Sequence, residues 1–157
     1  MKSEKRILIA SDHAGFALKS ELIKNLTDWI WEDLGPVDSV KVDYPDYAAT
    51  LGNRIVSGDA IRGILICGSG IGMCISANKI PGIRAAVVEN PVAARLSREH
   101  NDANILCLGS RFIAPEYGIE IARIWLETPF SQDTRHMNRI KKIQTLEVRS
   151  QRKDGHS

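Results

Sequence analysis

The chain has 157 residues, a net charge of +2 and 43% apolar residues, enough for one domain with a full core. The near balance of charge excludes a dedicated nucleic-acid surface, and no apolar run approaches the ~18 residues that cross a membrane. The three cysteines (Cys67, Cys74 and Cys107) fit no CxxC or zinc spacing, which implies a reducing cytoplasm, no disulfide and no structural metal.

The first residues, Met-Lys-Ser-Glu-Lys-Arg, lack the apolar core of a signal peptide, so no leader is expected. Residues 6–10 (Arg-Ile-Leu-Ile-Ala) read as a first strand, followed by the loop Ser-Asp-His-Ala-Gly at 11–15. Leu18, Leu22, Ile23 and Leu26 have helical spacing and predict a helix over 16–26. Residues 29–34 predict a second strand, ended by Gly35-Pro36. Residues 37–46 read as loop, and a helix over 47–57 follows Pro45 and Asp46. The apolar run at 64–66 predicts a buried third strand with Cys67 as its last residue. Gly68, Gly70 and Gly72 then turn the chain into a helix over 73–79. After Pro81-Gly82, residues 83–88 predict a fourth strand and 91–99 a helix with Pro91 in its first turn. Residues 104–108 predict a fifth strand, with the turn Gly109-Ser110-Arg111 after it. An amphipathic helix over 115–126 is expected to bury Ile119, Ala122, Ile124 and Trp125, and a last helix covers 134–149. Residues 150–157 are polar and expected to be disordered. This alternation predicts one α/β domain over 1–149, a Rossmann-like three-layer α/β/α sandwich on a five-stranded parallel sheet.

Such sheets bind ligands beyond the carboxyl ends of their strands. The expected rim is therefore Asp12-His13, Cys67 to Gly72, Glu89-Asn90 and Gly109 to Arg111. A glycine turn between strand and helix gathers backbone N–H groups that stabilise negative charge. Free cysteines are usually packing residues, but one placed at that turn can serve as base or nucleophile. Cys74 and Cys107 lack the placement and are assigned to the core. Gly68-x-Gly70-x-Gly72 also fits a pyrophosphate loop, with Glu89 about where a ribose-binding acid would fall. Against that, Met73 replaces the third glycine, and the loop follows the third strand rather than the first. Asp12 suits a helix N-cap. Arg135 and Arg139 project from one helix face beside His136, as a phosphate clamp or as a solvated basic face. Lys141, Lys142, Arg149, Arg152 and Lys153 read as the latter. His100 closes the fourth helix ahead of Asn101 and Asp102, as a cap or a catalyst.

Together these segments resemble the ribose-5-phosphate isomerase B family, in the wider group of ribose and galactose phosphate isomerases. The matching segments, in order, are Ser-Asp-His-Ala-Gly at 11–15, Asp-Tyr-Pro at 43–45, Ile-Cys-Gly-Ser-Gly-Ile-Gly at 66–72 and Ala-Asn-Lys at 77–79. Gly-Ile-Arg-Ala at 82–85, Glu-His-Asn-Asp at 99–102, Gly-Ser-Arg at 109–111 and the arginines at 135 and 139 with His136 complete the set. The resemblance implies an aldose–ketose isomerase of the pentose phosphate pathway, working through a cis-enediolate without metal or cofactor. It implies Cys67 as the base, and His100 helped by Asp12 in ring opening. The backbone of Gly68, Ser69, Gly70, Ile71 and Gly72 would hold the enediolate oxygens. His13, Arg135 and Arg139 would bind phosphate, Asn101 and Arg111 the sugar hydroxyls, and Asp43 and Tyr44 would also line the substrate site. Some relatives use a glutamate base where Met73 stands; here that role falls on Cys67. The galactose-6-phosphate isomerase subunits split the cysteine and the His-Asn pair between two chains, whereas this chain carries both.

Cys67 ends a strand, while His100 ends a helix and precedes the next strand. They fall at opposite ends of the sheet, ~17 Å apart. Either His100 is structural, or a second chain brings it to Cys67; the family's shared-site homodimers, often paired into tetramers, match the second option. Allose 6-phosphate or galactose 6-phosphate as substrate, a nucleotide-binding module and an inactive binding subunit remain the alternatives. One extra carbon is discriminated by only ~1–3 kcal/mol.

Overall fold

The structure, a computed structural model, describes residues 5–153. Its strands are β1 (Arg6–Ser11), β2 (Ile30–Asp33), β3 (Arg62–Cys67), β4 (Ala85–Val87) and β5 (Ile105–Gly109). Its helices are α1 (Phe16–Asn25), α2 (Tyr44–Val56), α3 (Ile71–Ala77), α4 (Pro91–Asn101), α5 (Pro115–Glu127) and α6 (Thr134–Lys153). The five strands form one parallel sheet, as the alternation predicts, in the order β2-β1-β3-β5-β4.

Alternate residues of each strand point to opposite faces, and the sequence fills both faces with apolar side chains. Ile7, Ile9, Ile64, Ile66, Leu106 and Leu108 face a core closed by Leu22 of α1, Ala94 of α4 and Trp125 of α5. Leu8, Ala10, Leu65, Cys67 and Cys107 face the other layer, against Leu51 of α2 and Met73 of α3. From β1 the chain turns outward to β2, and from β3 it turns the opposite way. The loops after β1 and β3 therefore part between these two neighbours, which makes their carboxyl ends the switch point of the sheet.

Several boundaries differ from the expected ones. Helix α2 starts at Tyr44, with Pro45 in its first turn, because a proline there needs no N–H acceptor. Ile71 and Gly72 belong to α3. On α5 the fully buried stripe is Gly118, Ile121, Ala122, Trp125 and Leu126, while Ile119 and Ile124 are only partly buried. The 3–4 spacing of that stripe is tighter than the expected set. Helix α6 continues to Lys153, and residues 154–157 of the expected tail lie outside the described residues.

Candidate active site

Two groups of the expected site residues emerge, at opposite ends of the sheet. The first sits at the switch point. Asp12 is buried; its N–H donates to the Ile66 carbonyl at 3.0 Å, and its Oδ1 accepts from the Gly15 N–H at 3.0 Å. The residue caps this turn rather than α1, whose N-cap position is Gly15. A Cβ on Gly15 would lie 2.5 Å from the Ile66 carbonyl oxygen, so only glycine lets the loop after β1 close on the end of β3. His13 follows, with its Nδ1 buried and without a protein partner.

Cys67 is 4% exposed, and its sulfur accepts the Gly70 N–H at 3.1 Å. Gly70 makes that bond from a left-handed backbone (φ 74°), where a side chain would also meet the Leu108 carbonyl carbon at 2.9 Å. The Ile71 N–H donates to Ser69 Oγ at 3.2 Å. Gly72 lies in the first turn of α3, ahead of the bond from the Cys74 N–H to the Gly70 carbonyl, where N–H groups have no helical acceptor. The Tyr44 ring covers Gly72 so closely that a Cβ there would lie 2.6 Å from it. The starts of α2 and α3 thus meet over the loop. Asp43, the N-cap position of α2, makes no side-chain capping bond and lines a pocket of about 430 Å³ with Leu34, Asp46 and Tyr47.

The turn after β5 closes the rim. The Ser110 N–H donates to the Cys67 carbonyl at 2.9 Å and the Arg111 N–H to the Gly68 carbonyl at 3.0 Å. The Arg111 guanidinium then lies against Gly68, 3.1 Å from where a Cβ would stand. Cys67, a cluster of N–H groups and a guanidinium thus share one small space. This arrangement suits proton abstraction next to a carbonyl, since it offers a base beside donors for the developing oxyanion.

Cys107 belongs to the core, as expected, and burial pushes its thiol well up. Cys74 is only half-buried and does not belong to the core proper. A hydrogen bond with the Cys107 thiol outweighs burial and lowers the Cys74 thiol to about 7, helped by Val87 and Asn78. Its sulfur lies 3.4 Å from the Ala85 carbonyl, at the start of β4 and away from the carboxyl rim.

The second group sits where α4 ends. His100 occupies the last turn, and Asp102 caps it in a left-handed conformation (φ 45°). Arg84 and Arg98 hold this turn. Arg84 donates to the Asn101 and Asp102 carbonyls, and Arg98 pairs with Asp102 at 2.8 Å. The two arginines also line a cleft of about 730 Å³ at the amino ends of the strands; their bonds there serve the fold. At the start of α6, Arg135 and Arg139 are exposed, while His136 turns inward and packs on His100 with ring centroids 4.2 Å apart. The sequence marks Arg135 and Arg139 through their spacing and Arg84 within the segment at 82–85, but leaves Arg98 without a signal. The two groups stand apart by the length of β3, six residues or about 17 Å.

The chain matches the ribose/galactose isomerase family over residues 7–143. It is 41% identical to ribose-5-phosphate isomerase B of Escherichia coli K12, over 92% of this chain and 98% of that one. The ribose-5-phosphate isomerase B structure of Clostridium thermocellum superposes with a TM-score of 0.89 at 44% identity, over 92% and 99% of the two chains. That of Mycoplasma genitalium, solved with bound ribulose 5-phosphate, has a TM-score of 0.85 at 40% identity, over 91% and 96%. With a five-stranded parallel sheet and a cysteine at its switch point, this chain belongs to the ribose/galactose isomerase family.

Proposed function

We propose that the protein interconverts D-ribose 5-phosphate and D-ribulose 5-phosphate, in a homodimer whose two active sites each draw on both subunits. The observation that carries the chemistry is the Cys67 sulfur at the switch point, receiving the Gly70 N–H among further loop donors. The thiolate takes the C2 proton of the open-chain aldose, and the electrons of that bond form the C1–C2 double bond of the enediolate. The C1 oxygen gains the charge, which the loop N–H groups and Arg111 offset, and the O2 proton passes to O1. Return of the proton from sulfur to C1 gives the ketose. Because Gly70 and Ile71 already donate within the loop, Gly72 is the first-turn donor nearest to hand for the oxyanion.

Ring opening needs an acid and a base at the far side of the sugar. The partner subunit's His100 supplies one, with Asp12 opposite. His13 and the partner subunit's Arg135 and Arg139 hold the phosphate, and the partner subunit's Asn101 holds a hydroxyl. A dimer accounts for apolar side chains that one chain leaves in water. Ile71 and Ile75 of α3, Val87 of the edge strand β4 and Val92 of α4 are each 41–57% exposed, beside the Cys67 loop. Met137, Ile143 and Leu146 of α6 are exposed as well, on a helix of 20 residues, ~30 Å long. The free thiols suit a reducing cytoplasm. A coupled assay with the 5-phosphate of ribose and the 6-phosphates of allose and galactose tests the substrate. Ribose 5-phosphate is expected to give the highest kcat/KM, and preference for a six-carbon phosphate would reassign it. Thermal stabilisation by NAD or ATP instead of sugar phosphate would favour the nucleotide-binding reading.

A further inference from the structure

We propose that His136 is a positioning residue that holds His100 and Arg135 in the geometry the shared site uses, a role that rests on the reading above. His136 is 5% exposed, and both of its ring nitrogens have partners. Arg135 Nη2 lies 3.4 Å from Nε2, and Ser131 Oγ lies 3.0 Å from Nδ1. A guanidinium only donates, so Nε2 carries the lone pair. The ring proton then sits on Nδ1 and donates to Ser131 Oγ, which also accepts the Asp133 N–H at 3.3 Å. His136 is thereby fixed as a neutral ring in one tautomer.

That ring leaves its face for His100, 4.2 Å away with the planes tilted by 37°. Ser131 is tied in turn to α4, since its N–H donates to the Glu99 carbonyl at 3.2 Å. The path from Glu99 through Ser131 and His136 back to His100 is a closed circuit joining the last turn of α4 to the first turn of α6. The charged groups facing His136 are Arg135 and Arg139 on its own helix, Asp133 just before it and His100 from α4. Glu99 is turned to Arg95 at 3.3 Å and Arg98 to Asp102 at 2.8 Å. Burial and the neighbouring cations keep His136 uncharged, so His100 faces a neutral surface.

The two functions of the ring separate by substitution. H136Q keeps an oxygen that can accept from Arg135 but loses the ring, and is expected to lower kcat about tenfold with KM near wild type. H136F keeps the ring but loses both nitrogens, and is expected to raise KM about tenfold with kcat near wild type, as the Arg135 bond is lost. Proportional losses in both variants, or no loss in either, would overturn the assignment. Nitrogen NMR of the labelled full-length homodimer reads the arrangement without turnover. The sequence has only four histidines, and H136Q identifies the signal. A proton on Nδ1 of His136, loosened by S131A, is the expected result; a proton on Nε2 would refute it. If H100N keeps full activity, the ring-opening role fails, while the NMR result still decides whether His136 is locked.

Discussion

Under the proposed mechanism, Cys67→Ala removes the base without touching a phosphate ligand. We expect kcat to fall by about 10²–10⁴ with KM little changed, as general-base catalysis implies. Steady-state rates of a variant that retains more than about a hundredth of wild-type kcat would place the base elsewhere. At the same scale, the buried neutral state of His136 makes stability depend on pH. Burial first, then His100, Arg135 and Arg139, hold its imidazole below the ordinary 6.5, with Asp133 opposing. Between that lowered value and 6.5 the unfolded chain binds the extra proton, so stability falls as pH drops below about 6.5. Tm measured from about pH 7 to 5 should therefore fall more steeply in wild type than in H136F. Cys67 was legible in the sequence because an apolar run and three spaced glycines are local signals. The inward turn of His136 was not. The spacing of Arg135 and Arg139 marks a shared face, but which neighbour turns inward depends on how α6 meets α4, a contact between distant segments.

Between α1 and β2 a buried lysine holds a corner. Lys19 is 1% exposed, with its Nζ 2.8 Å from Asp33 Oδ1 and 2.6 Å from the Pro36 carbonyl. Asp33 Oδ1 also accepts the Gly35 N–H at 2.9 Å, so one ammonium ties the end of β2 and its turn to the helix. Lys19→Met keeps most of the volume but removes the donor to both oxygens. We expect a loss of about 1.5–3 kcal/mol by denaturant unfolding, the range for charged hydrogen bonds. An unchanged midpoint would mean that water replaces the ammonium freely and that pairing of β1 with β2 holds the corner. Here the sequence misled in a specific way. Among Leu18, Leu22, Ile23 and Leu26, helical spacing gave the right helix, but Lys19 shares its buried side, which no apolar pattern reveals. The start of α2 was hidden for a related reason. Both Asp43 and Asp46 suit a helix start, and the choice falls on Asp43, where the Tyr44 ring packs on Gly72 from a distant part of the chain.

The proposed active site lies in two halves on opposite ends of one sheet. The molecule's parallel sheet and layers were legible because strands and helices alternate along the chain, while the order β2-β1-β3-β5-β4 was not read from it. The separation of Cys67 from His100 was legible too, as it needs only the directions of β3 and α4. The partner proposed to unite them rests on a fainter trace: exposed apolar side chains on α3, β4, α4 and α6 that a sequence pattern does not distinguish from core. Mixing two inactive variants tests the union directly. Homodimers of Cys67→Ala and of His100→Asn should each be nearly inactive with ribose 5-phosphate. In a mixed dimer one site collects both lesions and the other collects neither. Random reassociation makes about half of the dimers mixed, each with one intact site of two, so activity should recover to roughly a quarter of wild type. Activity that stays at the level of the parents, with subunit exchange confirmed by mass, would contradict a site built from two chains.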